Sequence, residues 1–300
     1  GVAEATSSRA LDLFTDLGDR RGQANALNSL GIVQSMRSEY GVAEATSSRA
    51  LDLFTDLGDR RGQATALHSL GHVQYARGEY GVAEATSSRA LDLFTDLGDR
   101  YGQANALHSL GHVQYARGEY GVAEATLTRA LDLFTDLGDR HGQANGHLYL
   151  GITQRLQGAH EPATTNLTKA LALLGEVGDH DGEAETYNAL GELALAHPDA
   201  GDPHTHFTTA LTLARDTGSR LHEANALAGQ GRCLQHTDPA RATTLLHQAL
   251  TLHRELDVPE ATRTAALLDT LQRDYPTASK PPESSAPLHD LPDSRPPRHL

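Results

Sequence analysis

His68 and His72 stand four residues apart, and His108 and His112 repeat the arrangement. On a helix, this spacing offers two imidazoles to one ion, which is how a helix presents histidines to zinc. A zinc hydrolase needs more: a third ligand and, in a metalloprotease helix, a glutamate directly after the first histidine. Neither accompanies these pairs, and duplication alone supplies the second pair. They are therefore expected to be groove or surface histidines, with no metal and no cofactor bound. Imidazole titrates near about pH 6.5, which keeps a pH-sensitive groove as a second reading. Asp52, Asp56 and Asp59 recur in the other copies of their segment, as a solvated helix face would, whereas paired catalytic acids form a single constellation. Cys233 has no neighbouring base and is expected to be a small buried residue near a helix end. Gly229-Gln230-Gly231 lacks the further Gly or Lys of a phosphate-binding loop. No enzyme is expected in these residues.

The elements that would carry these groups repeat. Gly1 to Arg20, Gly41 to Arg60 and Gly81 to Arg100 are identical, and Gly121 to Arg140 differs from them only at Leu127 and Thr128, giving a period of 40 residues. Such a period marks a stacked array in which each unit buries its apolar face against its neighbours. Between Gly62 and Gly78, Ala64, Leu67, Leu70 and Val73 fall at helical spacing and form helix A. Ala83, Ala90, Leu91, Phe94 and Leu97 form helix B, which ends at Gly98, a position suited to a left-handed cap. Asp99 follows as the N-cap of the next helix A. The short link makes each unit an antiparallel hairpin. Leu67, Leu70, Leu91 and Phe94 are expected to fill the layer between hairpins, with Ala83 and Ala90 allowing close approach.

The expected architecture is all-α, an α-solenoid wound as a right-handed superhelix of about six hairpins. Residues 1–20 read as helix B of a truncated unit, 21–258 as the array, 259–275 as a capping helix with Leu267, Leu268 and Leu271 inward, and 276–300 as a disordered Pro- and Ser-rich tail. Pro198 and Pro203 bracket a loosened turn. A chain opening with Gly1 in mid-repeat is expected to have lost an upstream part.

The net charge is -14, and lysine occurs only at Lys169 and Lys280. Without clustered basic residues, direct nucleic-acid binding is not expected. The Arg-for-Lys bias suggests a GC-rich bacterial genome. A single cysteine calls for no oxidising compartment, and no apolar run reaches the roughly 20 residues a membrane helix needs. A cytoplasmic location without membrane contact is expected.

Leu70-Gly71, Gly78, Tyr80, Ala83 and Ala90-Leu91 match in order and spacing the pattern of the tetratricopeptide repeat, and roughly Gly1 to Asp274 resembles that family. Leu67, Gln74 and Ser87 replace residues that are often aromatic there, and the unit is longer than the standard 34 residues. In these respects the units resemble those of kinesin light chains, spindle adaptors, bacterial antibiotic-regulatory activators and signal-transduction ATPases. The resemblance implies partner binding in a concave groove lined by helix A.

Residues 1 to 40 and 41 to 80 differ at only six positions, 25, 28, 32, 35, 36 and 38. The first five fall within an arc of about 100° on helix A, opposite Leu27, Leu30 and Val33. Either this stripe reads a ligand, or solvent-facing positions have drifted at little cost; exposed positions on helix B have not drifted. The stripe makes Asn25, Asn28, Thr65, His68, His72, Tyr75, Asn105, His108, His112, Tyr115, Asn145 and Arg155 the candidate partner-binding residues, with Ile32, Ser35, Leu148 and Ile152 beside them. These groups suit an extended peptide or a partner domain. They lack the Lys and Arg pairs that clamp a terminal carboxylate. The four histidines lie off the core stripe, so their replacement by Ala is expected to spare folding. The partner is a protein or peptide, and the chain's own upstream domain is one candidate. The alternative is the sensory C-terminal part of a bacterial transcriptional regulator or nucleotide-hydrolysing switch protein.

Overall fold

The computed structural model describes residues 2–276. The expected disordered tail therefore lies, from residue 277 onward, outside the described residues. Among those residues, fourteen α-helices follow one another: α1 Val2–Asp16, α2 Arg20–Met36, α3 Tyr40–Asp56, α4 Arg60–Ala76, α5 Tyr80–Asp96, α6 Arg100–Ala116, α7 Tyr120–Leu137, α8 Arg140–Leu156, α9 His160–Val177, α10 His180–Ala196, α11 Pro203–Thr217, α12 Arg220–Leu234, α13 Pro239–Glu255 and α14 Glu260–Asp274.

The helix boundaries follow from local chemistry. Asp19, Asp59, Asp99, Asp139 and Asp179 each accept a hydrogen bond from the glycine N–H three residues on, at 2.9 to 3.0 Å. Each thereby satisfies one of the free donors at the start of an even-numbered helix. Gly98, at φ +64°, closes α5, and Gly78, at φ +75°, closes α4; the left-handed region is open to glycine without steric cost. The first unit has Ser38 where the second has Gly78, and Ser38 takes the same turn at φ +61°, a conformation costing a side-chain-bearing residue roughly 1 kcal/mol. Between α10 and α11 the turn loosens into a single 3-10 turn at Pro198–Ala200, and Asp202 then caps α11.

Consecutive helices pack as hairpins, α2 with α3 through α12 with α13, while α1 packs on α2 and α14 on α13. Ala83 and Ala90 are fully buried, and Leu67, Leu70 and Phe94 are buried with them. Phe94 packs with Ala64, Leu67, Ala90 and Ala106, and so joins one hairpin to the next. This requires an unencumbered backbone opposite its ring. A Cβ on Gly102 would fall well inside van der Waals contact with Phe94, and Gly62 stands in the same relation to Phe54.

The recurring aspartates separate into different roles rather than all sharing one solvated face. Asp59 is a cap. Asp56 receives Arg20 at 2.8 Å, and the same bridge returns as Arg60 with Asp96 and Arg100 with Asp136, each at 2.7 Å. Asp52 and Asp56 both remain on the solvated face. The bridges are half-exposed, so each contributes under about 1 kcal/mol. Their regular spacing ties the start of each even-numbered helix to the end of the next odd-numbered one.

Candidate functional site

Each of the helices α2 to α10 also touches the next even-numbered helix, more extensively than successive odd-numbered helices touch one another. On a curved stack the closer-spaced elements form the inner wall, so these helices present the concave side. Their stripe residues occupy three environments.

The first is a layer of packed rings. His68 Nε2 lies 3.1 Å and His72 Nε2 3.0 Å from the Ser109 hydroxyl. His108 Nε2 and His112 Nε2 lie 3.2 Å apart, and the His112 ring lies against Tyr149 with centroids 3.7 Å apart. These histidines connect α4, α6 and α8 rather than standing free in a groove. Burial lowers the pKa of His68 to about 3 and of His108 to about 4, and it pushes His112 well down. His72 is lowered for the same reason, although its ring keeps surface open to solvent, so the surrounding wall rather than complete enclosure acts on it. None of the four belongs to the buried core: His68, His108 and His112 are half-buried between successive inner helices, and His72 is exposed.

The second environment is local. Thr65 donates to the Arg61 carbonyl at 3.1 Å and Asn105 to the Tyr101 carbonyl at 2.9 Å, while Asn145 Nδ2 lies 3.3 Å from His141 Nδ1. These polar side chains bond within their own helices. Asn25 is exposed and Asn28 is buried, both on α2.

The third is a cavity of about 370 Å³ whose wall contains Tyr75, Tyr115 and Arg155. Of the twelve candidates, these three line it. Its other polar residues include Glu185, Asn188, Glu192, His222, Asn225 and Arg232, none of which the near-identical copies reveal. The signal lay in the same frame carried further. Glu185 and Asn225 stand 40 and 80 residues beyond Asn145, Asn188 stands 40 beyond Leu148, and Glu192 and Arg232 stand 40 and 80 beyond Ile152.

Much of this wall is already internally bonded. The Tyr149 hydroxyl donates to Glu185 at 2.8 Å. Burial raises the Glu185 pKa despite that donor and the nearby His222, and burial likewise pushes Tyr149 well up and Tyr75 to about 12. Arg232 is paired with Glu192, and Asn225 Oδ1 lies 3.0 Å from His253 Nε2. Three buried atoms are left without a hydrogen-bond partner in the protein: Asn188 Oδ1, His222 Nδ1 and Arg155 Nε. Asn188 is only 7 % exposed, and its amide nitrogen is already committed to the His222 carbonyl at 3.0 Å.

These groups can donate, accept and stack. Cys233 does not supply a ready nucleophile, since its half-buried thiol is pushed up to about 11 by desolvation and remains protonated near neutrality. Among the described residues, no three His, Cys, Asp or Glu side chains are grouped to hold a metal ion, and no helix is long and apolar enough to cross a membrane.

Stacked helical hairpins with a polar cavity on their concave side define an α-solenoid built for protein interaction. Residues 62–136 and 102–176 match the tetratricopeptide repeat profile, so the chain carries tetratricopeptide repeats over residues 62–176. Solved structures similar to it include the apo form of RapI, at 15% identity, a TM-score of 0.67 and coverage of 85% of this chain and 96% of that one. A Rap protein complexed with Competence and Sporulation Factor follows at 14% identity and a TM-score of 0.63, with 85% and 75% covered. A Signal Transduction ATPase with Numerous Domains from Pyrococcus horikoshii, which carries a tetratricopeptide repeat sensor, matches at 14% identity and a TM-score of 0.65, with 88% and 40% covered. At these identities the likeness is one of fold. No curated protein matches the sequence.

Proposed function

We propose that the array is a non-catalytic scaffold that binds an extended peptide, or a protruding segment of a partner protein, in the cavity between α4 and α14. The observation that carries this function is Asn188. A buried carbonyl oxygen without a partner costs about 1 to 3 kcal/mol, and a peptide N–H laid along the wall would satisfy it once the side chain turns its closed-off oxygen toward the cavity. The neighbouring tyrosines offer faces and hydroxyls, as a preformed groove requires.

A second reading makes the array the sensory part of a bacterial regulator or switch protein, with a segment of its own polypeptide as one candidate occupant. Two fold neighbours favour it: one is described as complexed with Competence and Sporulation Factor and another as carrying a tetratricopeptide repeat sensor. Both readings place the occupant in the same cavity.

A photoreactive amino acid at position 115, on the concave wall, is expected to form covalent adducts with a bound partner. The same group at Asp92, exposed on α5, is expected to form few. Equal labelling from both positions would contradict a concave site.

A further inference from the structure

Most arginines that begin or end the inner helices are paired. Arg20, Arg60, Arg100, Arg140 and Arg220 reach carboxylates on the next helix B, and Arg37, Arg77 and Arg117 reach Glu4, Glu44 and Glu84. Arg155 differs. It lines the cavity, its Nε is buried without a hydrogen-bond partner, and among the described residues no carboxylate forms an ion pair with it. The carboxylates of the same wall do not neutralise it. Glu192 holds Arg232 and lies 3.9 Å from Arg263, and Glu185 accepts from Tyr149.

A guanidinium is permanently charged and presents a planar fork of donors that matches carboxylate or phosphate oxygens. Nε is closed off, so the Nη donors, which carry no hydrogen bond among the described residues, are the ones that would take such oxygens. Two further donors share the wall. Tyr75, Tyr115 and Arg155 stand 40 residues apart, at one position of the successive helices α4, α6 and α8. Among the described residues, neither the Tyr75 nor the Tyr115 hydroxyl bonds to the protein, and both line the same cavity as Arg155. Neighbouring helices lie roughly 8 to 10 Å apart, a step that about three residues of extended chain span.

We propose that Arg155, with the hydroxyls of Tyr115 and Tyr75, forms an anion subsite that takes an acidic side chain of the bound peptide. The inference rests on the peptide-binding function above and names the charge that the peptide must carry. Carboxylate and phosphate share the required chemistry, and the chain's strong negative charge makes a local cation in the cavity the more selective. An apolar or aromatic residue about three positions from the acid would meet the tyrosine faces.

The test is a selection of displayed random peptides, about ten residues long, on the full chain. Selected peptides are then resynthesised with Glu→Gln or phosphoserine at the acidic position. Enrichment of Asp or Glu at one position is expected, with Glu→Gln weakening binding about tenfold or more, as loss of a charge-assisted pair should. On Arg155→Gln that penalty should shrink to about twofold or less, with helicity and melting temperature retained. Arg155→Lys should restore part of it, because the charge returns without the fork. Phosphoserine binding at least as tightly as Glu assigns the subsite to phosphate, and weaker binding assigns it to carboxylate; either result supports an anion subsite. Peptides enriched without an acidic position, or a Glu→Gln penalty unchanged on Arg155→Gln, would overturn the subsite while leaving peptide binding intact. A selection that enriches nothing would overturn peptide binding itself.

Discussion

Acidification from about pH 7.5 to about pH 5 is expected to lower the melting temperature of the chain, and replacing His68 and His108 together by Asn should remove part of that loss, the rest belonging to the other lowered histidines, His112 and His72 among them. Both histidines have folded pKa values below the ordinary value of 6.5, about 3 and about 4, with burial as the leading cause. A depressed folded pKa means that the unfolded state binds the proton more readily. Their contribution to stability is therefore fully present above about pH 6.5 and is lost as pH falls toward the folded values. At pH 5 the loss reaches up to about 2 kcal/mol for each ring, at about 1.4 kcal/mol per pKa unit. Two rings would remove a sizeable part of a typical margin of 5 to 15 kcal/mol. Glu185 acts with the opposite sign, because its folded pKa is raised and its protonation favours the folded state. The comparison between wild type and His68→Asn/His108→Asn isolates the histidines. Asn is the residue that the first and fifth units hold at this position, as Asn28 and Asn188. Circular dichroism melts across the pH range read the effect. Parallel pH profiles for the two proteins would show that the rings are hydrated and outside the packing.

Gly102→Leu should have the larger structural effect, destabilising the chain by about 3 kcal/mol and splitting its unfolding into two transitions. A side chain at this position meets the Phe94 ring, and overpacking of a buried site typically costs 1 to 3 kcal/mol or more. In a stacked array such damage stays local to the interface that carries it, so α5 and α6 should lose hydrogen-exchange protection first. The chain contains its own control. The sequence positions of Gly62, Gly102, Gly142 and Gly182 are matched by His222, and those of Phe54, Phe94, Phe134 and Leu174 by Ala214. Where the large partner shrinks to alanine, at Ala214, a large side chain replaces the glycine. The pair Phe94→Ala with Gly102→His should accordingly recover much of the stability that Gly102→His alone loses. Gly121→Ala, where an added methyl meets nothing within 4 Å, should be neutral or slightly stabilising.

Periodicity made the fold legible, since identical segments at a 40-residue spacing leave little choice but stacked hairpins, and the alanines, leucines, capping aspartates and closing glycines lie where that frame puts them. The site was legible only in part, for a geometric reason. On a helix whose two flanks touch neighbouring helices, residues facing a groove and residues facing the next inner helix fall on one arc. His68 and Tyr75 therefore look equivalent on the sequence, although one packs between helices and the other lines the cavity. The cavity also lies largely where the units diverge, around Glu185, Asn188 and Arg232, while near-identical copies draw attention to the other end. Ion-pair partners such as Glu192 for Arg232 depend on helices brought together only by the curvature of the stack.

The most direct test of the concave cavity as the binding site is a crystal structure of the chain with one of the selected peptides. An extended peptide lying along Tyr75, Tyr115 and Arg155, with a backbone N–H on Asn188 Oδ1, is the predicted result. A peptide bound on the convex face, against the odd-numbered helices, with the cavity wall unchanged, would contradict it.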